Sequence, residues 1–245
     1  MKQKLKALLT KIKNALFYKR WTCNICNKDI FDNGHICESC KQNAPYIKTY
    51  CLHCGRKTQF TVKYCNTCIN NLTEINVGRS VFSYEYPINA LIKKFKYKGA
   101  KYLEEFFGEE LYTLYKNCPE IKSDVCVFVP MTEKSFKERG YNQSQLLAER
   151  FCKLSNLPLI ADAIKKVKDT KRQATLSRIE RTINLKGVYR FGNKKQIKGK
   201  TVLVIDDVAT TGTTLENIAK LLKKMGALKV NVLTVASVSV DNITV

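Results

Sequence analysis

Eight cysteines in four evenly spaced pairs constrain this chain more than any other feature. The pairs are Cys23/Cys26, Cys37/Cys40, Cys51/Cys54 and Cys65/Cys68; each is Cys-x-x-Cys and begins 14 residues after the one before. A Cys-x-x-Cys turn aims two thiolates at one point, and two such turns complete a tetrahedral S4 site. Four pairs make two sites, hence two zinc ions, or one if a site is degenerate. The segment Trp21–Asn71 has few large apolar residues and cannot fold on its own core. Metal binding supplies the missing free energy, on the order of 10–16 kcal/mol per site in zinc-finger peptides. Disulfides do not suit a cytoplasmic protein, a redox motif would occur once, and iron–sulfur clusters use other spacings. The uniform spacing leaves the pairing open: neighbouring pairs can share a metal, or alternate pairs can cross over. Sulfur fills each tetrahedron, so His35 and His53 are expected not to be ligands. Cys118, Cys126 and Cys152 lie outside the module and read as small hydrophobes.

The remainder is long enough for a second domain. The chain has 245 residues, 44% of them hydrophobic, which excludes a disordered tail protein. Lys and Arg total 43 against 21 Asp and Glu, a net charge of +22 that favours polyanionic partners. No apolar run reaches the ~18 residues of a membrane span. Residues 1–20 carry seven basic residues and no acidic one, with Leu5, Leu8, Leu9, Ile12 and Leu16 at helical spacing. This predicts a basic amphipathic helix, which suits an acidic membrane, nucleic acid or a docking face on the protein itself. It lacks the continuous apolar stretch of a secretory signal, so a cytoplasmic location is expected, with membrane association open. The predicted organisation is this helix, a zinc-binding domain over residues 21–76, and a larger domain over residues 77–245.

The larger domain alternates strands and helices. Phe82, Tyr84 and Tyr86 alternate as in a half-buried strand. Pro87 opens a helix with Ile88, Leu91, Ile92 and Phe95 on one face, ended by Gly99. Leu103, Phe106, Phe107, Leu111 and Leu114 make a second helical stripe. Val125–Pro130 and Thr201–Ile205 read as buried strands, with a helix through Leu146, Leu147, Phe151 and Leu154 between them. Leu215, Ile218, Ala219, Leu222 and Met225 line a further helix capped by Gly226, and Val230–Ala236 is the last strand. The pattern predicts an α/β fold, a parallel sheet flanked by helices. Residues 165–200 break it, with thirteen Lys and Arg against two Asp and Glu, as in a functional loop beside a sheet.

The sharpest chemical signal is the run Val202-Leu-Val-Ile-Asp-Asp-Val-Ala-Thr-Thr-Gly-Thr-Thr214. A buried strand ends in Asp206 and Asp207, a hydroxyl-rich loop with Gly212 follows, and a helix begins at once. Thr213 and Glu216 fit a capping box there. A helix N-terminus offers unpaired N–H groups and partial positive charge to an anion. Carboxylates at the strand's end face the crevice where open α/β sheets bind ligands, and they suit the vicinal hydroxyls of a ribose.

These residues closely resemble the phosphoribosyl pyrophosphate (PRPP) motif of type I phosphoribosyltransferases. The resemblance implies that Asp206 and Asp207 hold the ribose hydroxyls. Ala209, Thr210, Thr211, Gly212, Thr213 and Thr214 would then hold the 5′-phosphate, and magnesium would ride on the ligand. It also implies a sheet of about five strands with a flexible hood, here about residues 168–200. The order of motifs is more specific still. Cysteine pairs, then Leu91-Ile-Lys-Lys-Phe-Lys-Tyr-Lys-Gly99, Arg139-Gly-Tyr-Asn-Gln143, Thr170…Gln173…Leu176…Arg181…Asn184 and the phosphate loop resemble the ComF family over about residues 20–236. One departure is Val188-Tyr189, where that family usually has Ala-Phe.

On this resemblance Lys134 and Arg139 face pyrophosphate, with Gly140, Asn142 and Gln143 shaping the turn. Asn142 and Gln143 fit a helix cap equally well. Thr170, Lys171, Arg172 and Gln173 belong to the hood that closes over PRPP. The family is linked to natural transformation, the uptake of single-stranded DNA, which implies DNA and the uptake machinery at the inner face of the membrane as partners. Lys93, Lys94 and Lys96 interleave with Phe95 and Tyr97, and Arg56 and Lys57 follow a cysteine knuckle; these are the candidate DNA contacts. The alternatives are a true transferase on an unknown acceptor, or a nucleic-acid-binding regulator that senses PRPP. No nucleophile or hydrolase constellation competes with these readings, and neither histidine lies outside the cysteine module.

Overall fold

The computed structural model describes residues 21–30, 35–70, 73–168 and 187–240. The expected N-terminal helix and the expected hood residues Thr170, Lys171, Arg172 and Gln173 lie outside them. The chain forms two compact units, residues 1–43 and 44–245. The division falls within the segment expected as a single zinc-binding domain. The first two cysteine pairs belong to one unit and the last two to the other.

In the first unit β1 (Trp21–Thr22) and β2 (Asp29–Ile30) pair antiparallel, with a short helix α1 (Glu38–Gln42) after them. The knuckle between the strands turns at Asn27, whose φ is 59°. Its N–H donates to the Cys23 carbonyl at 2.9 Å.

The second unit is built on a parallel sheet of four strands. These are β3 (Val77–Ser83), β4 (Val125–Phe128), β7 (Thr201–Ala209) and β8 (Lys229–Ser237), in the order β3-β8-β7-β4. Around them come α2 (Asn66–Ile69), α3 (Ile88–Tyr97), α4 (Leu103–Lys116), α5 (Glu133–Arg139), α6 (Gln143–Ser155) and α7 (Thr213–Lys224). A separate antiparallel pair, β5 (Ile164–Lys166) and β6 (Tyr189–Phe191), brackets the basic segment. Among the described residues the sheet has four strands, one fewer than expected. The β4, β7 and β8 runs are β-branched and almost wholly buried because both faces are covered. Val125, Val127, Val202, Val204, Val230 and Val232 pack with Leu215, Ile218, Ala219 and Leu222 of α7. The alternate residues point the other way, where an aromatic layer lies. In it Phe82 stacks on Phe106, Phe106 meets Phe107, and Phe107 meets Phe95.

The first strand differs from its expected position. It runs Val77–Ser83, and Tyr84 and Tyr86 lie beyond it, with Tyr86 72% exposed. The aromatic alternation marks the chain leaving the sheet. The strand itself was hard to see because a cysteine knuckle is pressed against it. Gly78 N–H donates to the His53 carbonyl at 2.6 Å, and Arg79 donates to the Leu52 carbonyl at 2.8 Å. A Cβ on Gly55 would stand 2.3 Å from the Gly78 carbonyl oxygen, and one on Gly78 only 2.5 Å from that of Cys54. Two glycines are therefore required for the backbones to meet. Arg79, buried, is neutralised by Glu120 at 2.6 Å. Gly78→Ala is expected to destabilise this unit by roughly 1–3 kcal/mol through overpacking, read as a lower thermal midpoint. An unchanged midpoint would show that the knuckle does not rest on the strand.

Candidate functional site

Two cysteine clusters take shape from neighbouring pairs. Cys23, Cys26, Cys37 and Cys40 converge in the first unit, and Cys51, Cys54, Cys65 and Cys68 in the second. The pairing left open by the spacing is therefore sequential. Within the clusters Cys26 and Cys37 are 3.8 Å apart, Cys54 and Cys65 3.8 Å, Cys65 and Cys68 3.7 Å, and Cys51 and Cys68 3.9 Å, all sulfur to sulfur. A tetrahedron with zinc–sulfur bonds of about 2.3 Å has edges of about 3.8 Å. The donor sets thus fit zinc in size and chemistry. Backbone amides support the thiolates: Cys37 N–H donates to Cys23 Sγ at 3.4 Å and Cys65 N–H to Cys51 Sγ at 3.2 Å. Burial raises the Cys23 thiol, but backbone hydrogen bonds outweigh it and bring the group down to about 6. His35 and His53 belong to neither cluster. His35 instead stands edge-on to Trp21.

The second site lies at the carboxyl end of β7. Asp206 and Asp207 are both buried, at 9% and 5% exposure. Two adjacent carboxylates in a buried place need compensation, and three side chains provide it. Ser144 Oγ donates to Asp206 Oδ1 at 2.7 Å, and Gln143 Nε2 donates to Asp207 Oδ2 at 3.1 Å. Lys96 Nζ forms an ion pair with Asp207 Oδ2 at 2.9 Å. Burial, then the charge of Asp207, pushes Asp206 up to about 7 against the opposing hydrogen bond from Ser144. Burial works against the Lys96 charge, but Asp207 and Asp206 more than restore it, so the ammonium is held above its ordinary range.

These partners come from two helix ends. Asn142 caps α6, its Oδ1 accepting from Ser144 N–H at 3.0 Å. That cap directs Gln143 and Ser144, in the first turn, at the carboxylates. Lys96 sits four residues after Ile92 on the buried side of α3 and one residue before its end. Helix α3 is held to this region by the Tyr141 hydroxyl, which donates to the Phe95 carbonyl.

The loop after β7 leads into α7 as expected. Gly212, with φ 78°, is the N-cap, and the first turn begins at Thr213. The expected capping box does not form. Glu216 Oε2 instead accepts from Thr73 Oγ1 at 2.5 Å, and its Oε1 from Glu74 N–H at 3.0 Å. Long-range partners win the Glu216 carboxylate. Thr211 and Thr213 share a hydroxyl hydrogen bond of 2.9 Å, and Thr210 is exposed. Tyr189, on β6, returns beside Thr214 and Asp206; burial raises its phenol and the Asp206 charge adds to that.

The remaining expected residues divide. Lys134 is exposed on α5, and the Arg139 guanidinium lies over the Tyr97 ring at 5.1 Å. Gly140 ends α5 in the left-handed region at φ 80°. Of the candidate DNA contacts, Lys93 is exposed, and Lys57 pairs with Glu85 at 2.8 Å. Lys94 is half-buried. The other two face inward. Lys96 is turned inward onto Asp207, because its helical phase is that of the buried face. Arg56 is 5% exposed and lies between Cys54 Sγ and the Thr210 carbonyl. The sequence reading missed Lys96, Gln143 and Ser144 as partners of the acids; the phase of α3 and the polar first turn of α6 were the available signals.

Comparison with known proteins places these sites in a family. A phosphoribosyl transferase domain model matches residues 138–242, and a double zinc ribbon domain model matches residues 13–73. The chain is 30% identical to competence protein ComFC of Bacillus subtilis over 200 residues, covering 78% of this chain and 79% of that protein. The chain belongs to the ComF family. Competence protein F of Haemophilus influenzae is 28% identical over 211 residues, covering 84% of this chain and 91% of that protein. DNA utilization protein YhgH of Escherichia coli K12 is 28% identical over 205 residues, covering 81% of this chain and 89% of that protein. The ComF assignment joins both sites, since the two domain models together span the cysteine clusters and the β7–α7 loop.

Two outcomes test the site's electrostatics and metal content. Lys96→Met leaves two buried carboxylates against each other, so it destabilises most where both are ionised. The loss is expected to be roughly 2–3 kcal/mol at pH 8.5, below that for a fully buried pair because Lys96 keeps some exposure. It shrinks as pH falls toward about 7, because Asp206, no longer held down by Lys96, takes up its proton at a higher pH in the variant than in the wild type. Urea unfolding at pH 8.5 and 5.5 measures this, and equal losses at both would contradict it. Cys37→Ser should lower the zinc content of the chain while leaving the unfolding midpoint of residues 44–245 in place. Cys65→Ser should lower both. Elemental analysis with thermal unfolding separates the two.

Proposed function

We propose that this protein binds PRPP with magnesium at the end of β7 and serves natural transformation by handling incoming single-stranded DNA in the cytoplasm. The observation that carries the first part is the conjunction at β7 and α7. Two buried carboxylates at the carboxyl end of a parallel strand precede a Gly–Thr loop that opens a helix at Thr213. Such a helix start attracts a phosphate, and acceptors beside it suit a ribose diol. Asp206 and Asp207 would take the ribose hydroxyls and Ala209–Thr214 the 5′-phosphate. Arg139 and Lys134 would face the pyrophosphate. Lys96 would yield part of its hold on Asp207 when the diol arrives. Magnesium would travel with the ligand, as two carboxylates do not make a cage for a hydrated hard ion.

The DNA part is supported by the names of the relatives, two of them competence proteins and one a DNA utilization protein. It is also supported by a surface feature beside the site. Tyr97 is 69% exposed and carries the Arg139 guanidinium on its ring, with exposed Lys93 and Lys98 on and just after the same helix. An exposed aromatic among cations suits a stacked base and a phosphate backbone. With a net charge of +22, such binding depends strongly on salt. A transferase reaction on an unknown acceptor and a PRPP-sensing regulator are the other readings. Pyrophosphate release with an added base would favour the former, and PRPP-dependent DNA affinity without turnover the latter.

Asp206→Asn with Asp207→Asn is expected to weaken PRPP binding at least tenfold, about 1.4 kcal/mol, in calorimetry with magnesium. Unchanged affinity would remove the ribose assignment. Tyr97→Ala should lower affinity for an unstructured single strand by roughly 1–3 kcal/mol. Wild-type affinity should fall steeply between low and moderate salt. Salt-independent binding would contradict the reading.

A further inference from the structure

The second cysteine cluster and the Thr210–Thr214 loop, far apart in the chain, are both touched by the Arg56 side chain. Arg56 follows the Cys51–Cys54 knuckle by two residues and is almost wholly buried. Its Nε–H lies 3.5 Å from Cys54 Sγ, and its Nη1 donates to the Thr210 carbonyl oxygen at 3.0 Å. The knuckle is itself fixed to the sheet by the Gly55–Gly78 contact and the Gly78-to-His53 hydrogen bond. The guanidinium therefore stands on a rigid base. It also borders a cavity of about 200 Å³ lined by His53, Cys54, Thr211, Gly212 and Thr213. Across that space the link from cluster to loop runs through Arg56.

A trans peptide is planar, so its C=O and N–H point in opposite directions. Holding the Thr210 carbonyl on Arg56 fixes the plane of that peptide, and with it the direction of the Thr211 N–H. Arg56 thus sets the direction of a loop amide without touching a ligand there. On the other side, its Nε–H faces a sulfur that is a thiolate when metal is bound. A hydrogen bond between two charged groups is about twice as strong as a neutral one, and donors outside the ligand set orient and tune the metal site. Lysine cannot substitute, since a point charge on a flexible stem does not reach both acceptors with a fixed fork.

We propose that Arg56 is a positioning residue that couples metal occupancy of the Cys51/Cys54/Cys65/Cys68 cluster to the anion affinity of the Thr210–Thr214 loop. This rests on the PRPP reading of that loop. Because coupling between two sites is reciprocal, PRPP bound at the loop also tightens the metal in this cluster and leaves the other cluster unaffected.

The test uses the full zinc-loaded chain, Arg56→Met, Arg56→Lys and, as a control on an exposed lysine, Lys48→Ala. Three readouts are taken: calorimetric affinity for PRPP with magnesium, amide exchange at Thr211–Thr213, and zinc release to a chromogenic chelator with and without PRPP. In the wild type, PRPP is expected to slow release of one zinc ion of two. In Arg56→Met and Arg56→Lys, PRPP affinity falls about tenfold, loop exchange rises, and the protection of that one ion is lost. Lys48→Ala behaves as wild type. Affinity, exchange and zinc release unchanged in Arg56→Met would overturn the proposal, as would rescue by lysine. Should the wild type bind no PRPP, the PRPP reading fails by itself. The exchange difference between wild type and Arg56→Met, with zinc retained, then still decides whether Arg56 holds the loop.

Discussion

Two neighbouring carboxylates buried at the end of β7 dictate the construction around them. Asp206 and Asp207 cannot both be charged there unless nearby groups compensate. Lys96, Gln143 and Ser144 do so from two helices, and the Asn142 cap and the Tyr141-to-Phe95 contact keep those helices in register. The start of α7, with Gly212 as its N-cap, follows the two acids in the chain. A site that concentrates acceptors on one side and amide donors on the other is suited to a molecule that carries both hydroxyls and phosphate.

The cysteines play two different structural roles. The first cluster organises a small unit with a two-stranded hairpin and little apolar content. The second is built into the edge strand of the sheet, where paired glycines let backbones touch. The second cluster is therefore part of the architecture that carries the β7–α7 loop, and Arg56 reaches from Cys54 to Thr210.

Much of this was legible in the residues. The cysteine spacing announced two S4 clusters, though uniform intervals could not say which pairs meet; only tertiary geometry does. The β-branched runs at Val125 and Val202 located central strands, because burial on both faces leaves a continuous apolar signature. The strand Val77–Ser83 was obscured, since its Gly78, Arg79 and Ser80 answer to the knuckle and to Thr234 on β8 rather than to a hydrophobic face. Asp206, Asp207 and Gly212 stood out as a local motif. Glu216 misled, because a capping box is a local pattern and Thr73 reaches the same carboxylate from 143 residues away. Lys96 and Arg56 were read as surface charge for the same reason: one-dimensional neighbours say nothing about an acid or a carbonyl brought close by the fold.

The account stands on what occupies the mouth of β7. The direct measurement is a crystal structure of the chain grown with PRPP and magnesium. It should show the 5′-phosphate on the amides of Ala209–Thr214, the ribose diol on Asp206 and Asp207, and Lys96 drawn back from Asp207. Density for the ligand elsewhere, or none, with Lys96 still closed on Asp207, would contradict it.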